Sequence, residues 1–198
     1  MTDEELLLEM SKGSGTALET LVFRYHAAIQ TYLHRMVGSG TTAEDLAQEC
    51  FVRVMEAVRK KRLPLSFRPW IYKIATNLCR DHWRKASNRI EMAGVAELEL
   101  FPASDNVALI YEKQIEREMV VRALQRLDEE QRQLIVLRFY QELKLAEIAE
   151  ILNVPLGTAK TRLYQAIKQL NQLIDSEHPA DKRNVANYSS ARRSGHDR

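Results

Sequence analysis

Apolar residues recur along this chain at spacings of three and four, the period of an amphipathic helix, and β-branched runs are few. The pattern predicts a short helix over Asp3–Met10 that stops at Lys12-Gly13-Ser14-Gly15. A capping box at Thr16–Glu19 starts a second helix with Leu18, Leu21, Val22, Tyr25, Ile29, Leu33 and Val37 inward. Gly38-Ser39-Gly40 ends it, and Thr42 starts a third, with Glu44 and Asp45 in the first turn, where the helix dipole favours anions. Leu46, Cys50, Val54 and Val58 form its stripe. A basic loop over residues 60–67 interrupts. Trp70, Ile71, Ile74, Ala75, Leu78 and His82 then line one face of a helix that runs to about Ala86. Residues 88–108 lose the periodicity and contain Gly94, Pro102, Ser104, Asp105 and Asn106, the composition of a linker. Helix returns at about Leu109 and runs to Leu127, and Asp128–Gln131 is a second capping box opening a helix through about Tyr140.

The most telling stretch comes next. Leu145, Ile148, Ala149 and Leu152 make one apolar stripe; Asn153 tolerates the left-handed conformation that ends helices; Pro155 restarts the chain near a helix start. Ala159, Leu163, Ile167, Leu170 and Ile174 make a second stripe, off which lie Thr158, Lys160, Thr161, Arg162, Tyr164, Gln165 and Lys168. Two helices joined by so short a turn cross steeply, and the small Ala149 and Ala159 allow close approach. This is the pattern of a helix-turn-helix, whose second helix enters the DNA major groove. A solvated helical hairpin has a similar polar face. Beyond Glu177 the chain is rich in Ser, Asn and Arg with almost no large apolar residues, the composition of a disordered tail.

Composition narrows the class. With 198 residues the chain allows one or two domains, and an apolar content of 45% is enough for real cores. Only 7 Gly and 5 Pro favour an all-α fold. Cys50 and Cys79 both sit on apolar stripes, so no disulfide framework is implied. Cys79 and His82 are three apart, but there is no second pair at ligand spacing, and the expectation is no metal and no cofactor. The acidic start MTDEELLLEM lacks the pattern of a signal peptide, and no apolar run reaches membrane-spanning length, so a cytoplasmic protein is expected.

A net charge of +2 hides a strong segregation. Residues 1–52 carry net −5, residues 53–89 net +9, residues 90–130 net −6 and residues 131–198 net +4. Two basic blocks separated by an acidic spacer suggest two nucleic-acid contacts on one chain. Solvated helix faces explain the second block tolerably and the first poorly, because uncompensated like charges repel.

Three motifs in order carry a resemblance to bacterial RNA polymerase sigma factors of the extracytoplasmic-function group. Asp45-Leu-Ala-Gln48-Glu49-Cys-Phe51 is similar to that family's core-polymerase-binding signature. The stretch Trp70-Ile-Tyr-Lys-Ile-Ala-Thr-Asn77-Leu-Cys-Arg-Asp-His-Trp-Arg84-Lys85 resembles its promoter-melting and minus-ten helix. Glu147 through Leu163, with Pro155, Gly157 and Arg162, resembles its minus-thirty-five helix. The resemblance covers about residues 3–175 and implies two small helical domains joined by a flexible linker. Residues 1–88 would be region two, 89–110 an acidic linker, 111–176 region four, and 177–198 a disordered basic tail.

The resemblance also implies partners and roles. Asp45, Gln48 and Glu49 share one helix face, and with Phe51 they would meet the clamp helices of the polymerase's largest subunit; region four would meet the flap of the second-largest subunit. Strand opening needs a cationic track and flat side chains that replace lost stacking. Arg62, Lys73, Asn77, Arg80, Arg84 and Lys85 are the expected minus-ten track, with Phe67, Trp70 and Trp83 as aromatic candidates, Trp70 being equally explained by core packing and Asn77 by capping or internal packing. In similar proteins the loop around Arg62–Arg68 captures a flipped base. Asp81 is expected to pair with Arg84 or Lys85. In the recognition helix Lys160, Thr161, Tyr164 and Gln165 are placed to reach base edges, and Thr158, Arg162 and Lys168 complete the minus-thirty-five set, Arg162 and Thr158 as phosphate contacts. An anti-sigma factor, often membrane-bound, is a further expected partner.

The chain departs from the family's common pattern at Lys144, where Ser is frequent as a helix cap, at Gln165, where a basic residue is common, and at Asp128, where Pro is frequent. Gln reads adenine better than guanine, so the minus-thirty-five preference is expected to differ. The competing reading is a free-standing helix-turn-helix regulator. It requires a dimerisation or ligand domain, and residues 1–88 hold neither a ligand-type α/β pattern nor sustained heptads. No nucleophile–base pairing or Gly-rich phosphate loop suggests an enzyme.

Overall fold

In the computed structural model, which describes residues 1–90 and 119–177, every regular element is helical. The N-terminal half contains α1 (Asp3–Ser11), α2 (Gly15–Val37), α3 (Gly40–Arg59) and α4 (Phe67–Ile90). The C-terminal half contains α5 (119–126), α6 (Glu129–Ile135), a π-helical turn (Val136–Tyr140), α7 (Leu145–Leu152) and α8 (Leu156–Glu177). The expected start of a helix at Leu109, the bulk of the acidic linker and the basic tail lie outside the described residues.

Short side-chain caps set the helix starts, in two cases earlier than the spacing predicts. The cap of α2 is Ser14, whose hydroxyl accepts from the Ala17 N–H at 3.4 Å, while the Thr16 hydroxyl lies 3.0 Å from that of Ser14. The cap of α3 is Ser39, accepting from the Thr42 N–H at 3.4 Å. Gly38 ends α2 at φ +77°, a left-handed conformation that glycine adopts without strain, so two residues suffice to reverse the chain. Helix α4 begins at Phe67 rather than near Trp70, because Pro69 is compatible with a first turn, where its missing N–H would have no partner. Asp128 caps α6 as its spacing predicts, accepting from the Gln131 N–H at 2.8 Å. The helix expected to continue to Tyr140 widens instead into a π turn, closed by the Gln141 N–H on the Val136 carbonyl at 3.1 Å. That turn leaves Val136 and Leu137 inside and Phe139 and Tyr140 outside.

The inner faces of α1–α4 form a bundle core around Leu21, Ile29, Leu33, Ala47, Cys50, Val54, Phe67, Ile71 and Ala75. This core does not stop at the N-terminal half. Leu134, Val136, Leu137, Leu143, Ile148, Ile151 and Leu152 belong to the same apolar cluster. Helix α7 lies on α4, and the π turn lies on α2. A smaller cluster of Leu124, Leu127, Ile135 and Ala166 holds α5, α6 and α8 together. The two modules, expected to be joined by a flexible linker, also pack directly on one another.

That packing explains buried side chains outside the predicted stripes. Tyr32 is fully buried; its hydroxyl lies 2.9 Å from Thr76 Oγ1 and accepts from Gln133 Nε2 at 3.2 Å. Arg132 donates to the carbonyls of Leu124, Gln125 and Leu127, and across the seam to Met36 at 3.0 Å. It thereby adds partners to the last carbonyls of α2 and α5, of which that of Leu124 also accepts from the Leu127 N–H at 3.3 Å.

The Asp128 cap gives a direct check on this local logic. Replacing Asp128 with Ala should lower stability by about 1 kcal/mol in urea unfolding, whereas Asp128→Asn should lose a few tenths at most.

Candidate nucleic-acid interface

Three outward faces carry the candidate residues. On α3, Asp45, Gln48 and Glu49 are all exposed on one side. Arg53 pairs with Glu49 at 2.9 Å, which partly neutralises the acidic face from within, and the neutral Gln30 amide donates to Glu44 at 3.3 Å. Phe51 does not belong to it. The residue is 7% exposed, points inward and stacks on His26 at 6.1 Å between ring centroids. Val52 takes its place, 41% exposed beside Gln48 and Glu49. Its signal in the sequence is an apolar residue four positions after Gln48 and off the buried stripe.

The second face comprises α4 and the loop before it. Asn77, Arg80, Arg84 and Lys85 are exposed, and Lys73 is half-buried. Arg84 pairs with Asp81 at 3.0 Å, as the spacing predicts, and Arg53 reaches the same carboxylate at 3.8 Å. Arg80 reaches across to Gln133 Oε1 at 3.4 Å. Phe67 was expected as a stacking residue in the loop, and here the structure corrects the sequence. Phe67 opens α4 and is fully buried, its ring edge-on to Tyr25 at 5.0 Å and its N–H held by Glu4 at 3.3 Å. Trp70 and Trp83 are half-buried and packed on the core. The loop still offers apolar surface, but from aliphatic residues: Leu65 is completely exposed and Leu63 is 39% exposed, next to the exposed Arg62.

The third face is α8. Asn153 ends α7 in the left-handed region at φ +55°, as its identity predicts. Ala149 and Ala159 are both buried in the α7–α8 module, the close approach their size permits. Lys144 supplies no side-chain cap to α7; Glu147 compensates by accepting from the Lys144 N–H at 2.7 Å. Lys160, Thr161, Tyr164, Gln165 and Lys168 are exposed along one side of α8. Tyr164 is 73% exposed, an unusual placement for a large aromatic ring. Thr161 donates its hydroxyl to the Gly157 carbonyl at 3.1 Å, leaving its oxygen free to accept. Thr158 is half-buried, and Arg162 is held by Glu130 at 2.9 Å.

Elsewhere the chemistry is quiet. Burial pushes the thiols of Cys50 and Cys79 up to about 12, so both are protonated at neutral pH. Among the described residues no three His, Cys, Asp or Glu side chains group as metal ligands, and no helix is long and apolar enough to cross a membrane. A groove of about 440 Å³ runs along the seam between the modules, lined by Asp3, Arg24, Tyr25, Arg68, Tyr72 and Tyr140 among others.

Comparison with known proteins assigns both modules to known families. Residues 21–89 match the family Sigma-70 region 2, and residues 117–170 match Sigma-70, region 4. The ECF RNA polymerase sigma factor SigW of Bacillus subtilis is 31% identical over 185 residues, covering 87% of this chain and 96% of that protein. The ECF RNA polymerase sigma-E factor of Escherichia coli is 28% identical, covering 88% of this chain and 95% of that protein. Among solved structures, CnrH in complex with the cytosolic domain of CnrY aligns over 88% of this chain and 97% of that one, with a TM-score of 0.67 and 23% identity. RpoE in complex with the anti-sigma factor NepR from Bartonella quintana aligns over 79% and 96%, with a TM-score of 0.66 and 18% identity. These two share the fold.

The Glu130–Arg162 pair yields a test. Both partners are well exposed, so Glu130→Gln should change stability by less than about 1 kcal/mol. Releasing Arg162 should steepen the salt dependence of duplex binding by about one unit of log–log slope, read by fluorescence anisotropy.

Proposed function

The chain belongs to the extracytoplasmic-function (ECF) group of RNA polymerase sigma factors, and on that premise we propose how its faces divide the work of promoter recognition. The protein is an alternative sigma factor, a non-enzymatic subunit that directs transcription initiation to particular promoters. In our reading residues 1–88 bind core polymerase and open the minus-ten element, and residues 111–176 hold the minus-thirty-five element. The observation that carries this division is that each matched region turns most of its charged and hydrogen-bonding candidates to solvent while its apolar stripe faces the core.

Asp45, Gln48, Glu49 and Val52 form a face suited to a basic partner with an apolar spot at its centre. We assign it to the clamp helices of the largest subunit, with region four meeting the flap of the second-largest. Lys73, Arg80, Arg84 and Lys85, with Arg62 in the loop, form the phosphate track over the opened minus-ten strand, and Asn77 lies on the same exposed side. Leu63 and Leu65 cover the flipped base in place of Phe67, an apolar contact that tolerates any base face. On α8, Lys160, Thr161, Tyr164 and Gln165 read base edges, and Thr158, Arg162 and Lys168 fix the register on phosphates. The solved relatives CnrH and RpoE are held by CnrY and by the anti-sigma factor NepR, which supports an anti-sigma partner for this chain also. The site of action is the cytoplasm, where polymerase works.

Run-off transcription from a promoter library, with purified core polymerase alone and with the protein added, tests the whole reading. Promoter-specific transcripts should appear only on addition. No stimulation, together with tight binding of one operator by the protein alone, would replace it with a free-standing regulator. Within that assay, Gln165→Ala should cost about 1–3 kcal/mol of discrimination at one base position. Lys168→Ala should instead weaken all promoters alike and reduce the salt slope by about one.

A further inference from the structure

Phe23 is 89% exposed, the most open aromatic side chain among the described residues. It stands on the outer side of α2, and the packing of the bundle makes no use of it. A lone apolar residue in water needs no explanation, so its neighbours decide what it is for. Phe23, Ala27 and Gln30 follow one another at spacings of four and three and form one stripe along α2.

Two contacts tie that side of α2 to α3. Gln30 donates to Glu44 at 3.3 Å, and the His26 ring stacks on Phe51 at 6.1 Å between centroids. Together they fix the register of two helices that run in opposite directions. Seven residues back along α2 from Gln30, about 10.5 Å, lies Phe23; the same step forward along α3 from Glu44 reaches Phe51. A step of three from His26 and from Phe51 gives Phe23 and Val54. Phe23 therefore stands level with residues 51–54 of α3, and the exposed member of that group is Val52, at 41%. Met55, half-buried, follows one turn further. Packed helix axes lie about 8–10 Å apart, so Phe23 and Val52 flank one shallow groove, with His26 over Phe51 between them. Exposed carboxylates surround this apolar strip: Glu19 on α2, and Asp45, Glu49 and Glu56 on α3.

An apolar centre inside a charged rim is the anatomy of a protein–protein interface, in which aromatic anchors carry most of the energy. Asp45, Gln48, Glu49 and Val52 already form the face assigned above to core polymerase, and Phe23 continues that face across the groove. The carboxylates are weak holders by themselves. Glu49 is paired with Arg53 of its own helix at 2.9 Å, and exposed charges are screened by salt.

We propose that the polymerase-binding face extends across the α2–α3 groove onto α2, and that Phe23, with Val52 opposite, is its apolar anchor. The partner segment has the complementary chemistry: a helix of core polymerase that presents an apolar side chain between Lys or Arg residues. The rim carboxylates steer it, and Phe23 holds it. This inference rests on the polymerase reading of the α3 face and adds to it a residue on another helix, well outside the acidic motif.

The test is binding of the full-length protein, labelled with a dye at its C-terminus, to purified core RNA polymerase, followed by fluorescence anisotropy at low and at high salt. Phe23→Ser should weaken binding by about thirtyfold, the scale of an aromatic hot spot, and by the same factor at both salt concentrations. Phe23→Leu, which keeps apolar bulk, should recover most of that loss. Asp45→Asn should weaken binding at low salt only. Phe23→Ser should leave the melting temperature unchanged, because the ring is already in water in the free chain, so weaker binding is not a folding defect. Equal binding by Phe23→Ser and the unaltered chain would overturn the anchor and leave the polymerase reading intact; an unaltered chain that does not bind core polymerase would remove both. A loss confined to low salt would also overturn the anchor, as would a lower melting temperature, which would place the ring in the fold. If the unaltered chain sediments as a dimer that Phe23→Ser makes monomeric, the face belongs to a second copy instead.

Discussion

The hydroxyl of Tyr32 sits where three helices meet, with Thr76 of α4 on one side and Gln133 of α6 on the other. Burial drives its pKa upward, so it stays a neutral hydrogen-bonding group under all ordinary conditions. Losing a partner of a buried polar group costs on the order of 1–3 kcal/mol; Thr76 belongs to the same bundle as Tyr32, and Gln133 is supplied only when the modules are together. Tyr32 therefore couples the bundle to the helix-turn-helix module. Helix α4, which carries the basic track, is fixed between them, with Ile71, Ala75 and Cys79 facing inward and Arg84 and Lys85 facing out.

Every DNA-facing assignment depends on how the apolar stripes are spent. Helix α8 turns Ala159 and Ala166 inward, and this leaves Lys160, Tyr164, Gln165 and Lys168 on the outer side. Helix α3 turns Ala47, Cys50, Phe51 and Val54 inward, and so presents Asp45, Gln48 and Glu49. The polymerase and DNA faces are thus the remainder of the packing problem rather than separate constructions. An amphipathic helix with a full inner stripe has only its outer positions to offer a partner.

Much of this was legible from the residues alone. The α7–α8 module was readable because its signals are local: a stripe, an Asn that ends one helix, a Pro that restarts the next, and two alanines at the crossing. The acidic face of α3 and the Asp81–Arg84 pair followed from spacing in the same way. The misreadings have physical causes. Phe67 was placed in a loop because the basic run and Pro64 hid the start of α4, and a helix that admits Pro69 in its first turn begins earlier than a breaker suggests. Phe51 lies beside the acidic motif in sequence but about 100° from Val52 around the helix, which puts it in the core. Tyr32, Thr76, Gln133 and Gln141 left no local signal, since a polar side chain in a helix reads as solvated until a tertiary partner appears. The seam they form is the part of the structure that no window of sequence contains.

In the structure the two modules are docked on one another, and they come apart when both promoter elements are held. The most direct measurement is single-molecule energy transfer between dyes at the exposed positions 41 and 171, introduced as Thr41→Cys and Asn171→Cys in a chain whose Cys50 and Cys79 are Ala. The free protein should show one high-transfer population, with a separation within the roughly 42 Å of a compact chain of this length. The promoter-bound polymerase complex should show low transfer, because elements about 25 base pairs apart are about 85 Å apart along the DNA. Low transfer in the free protein, or high transfer that persists in the transcribing complex, would contradict it.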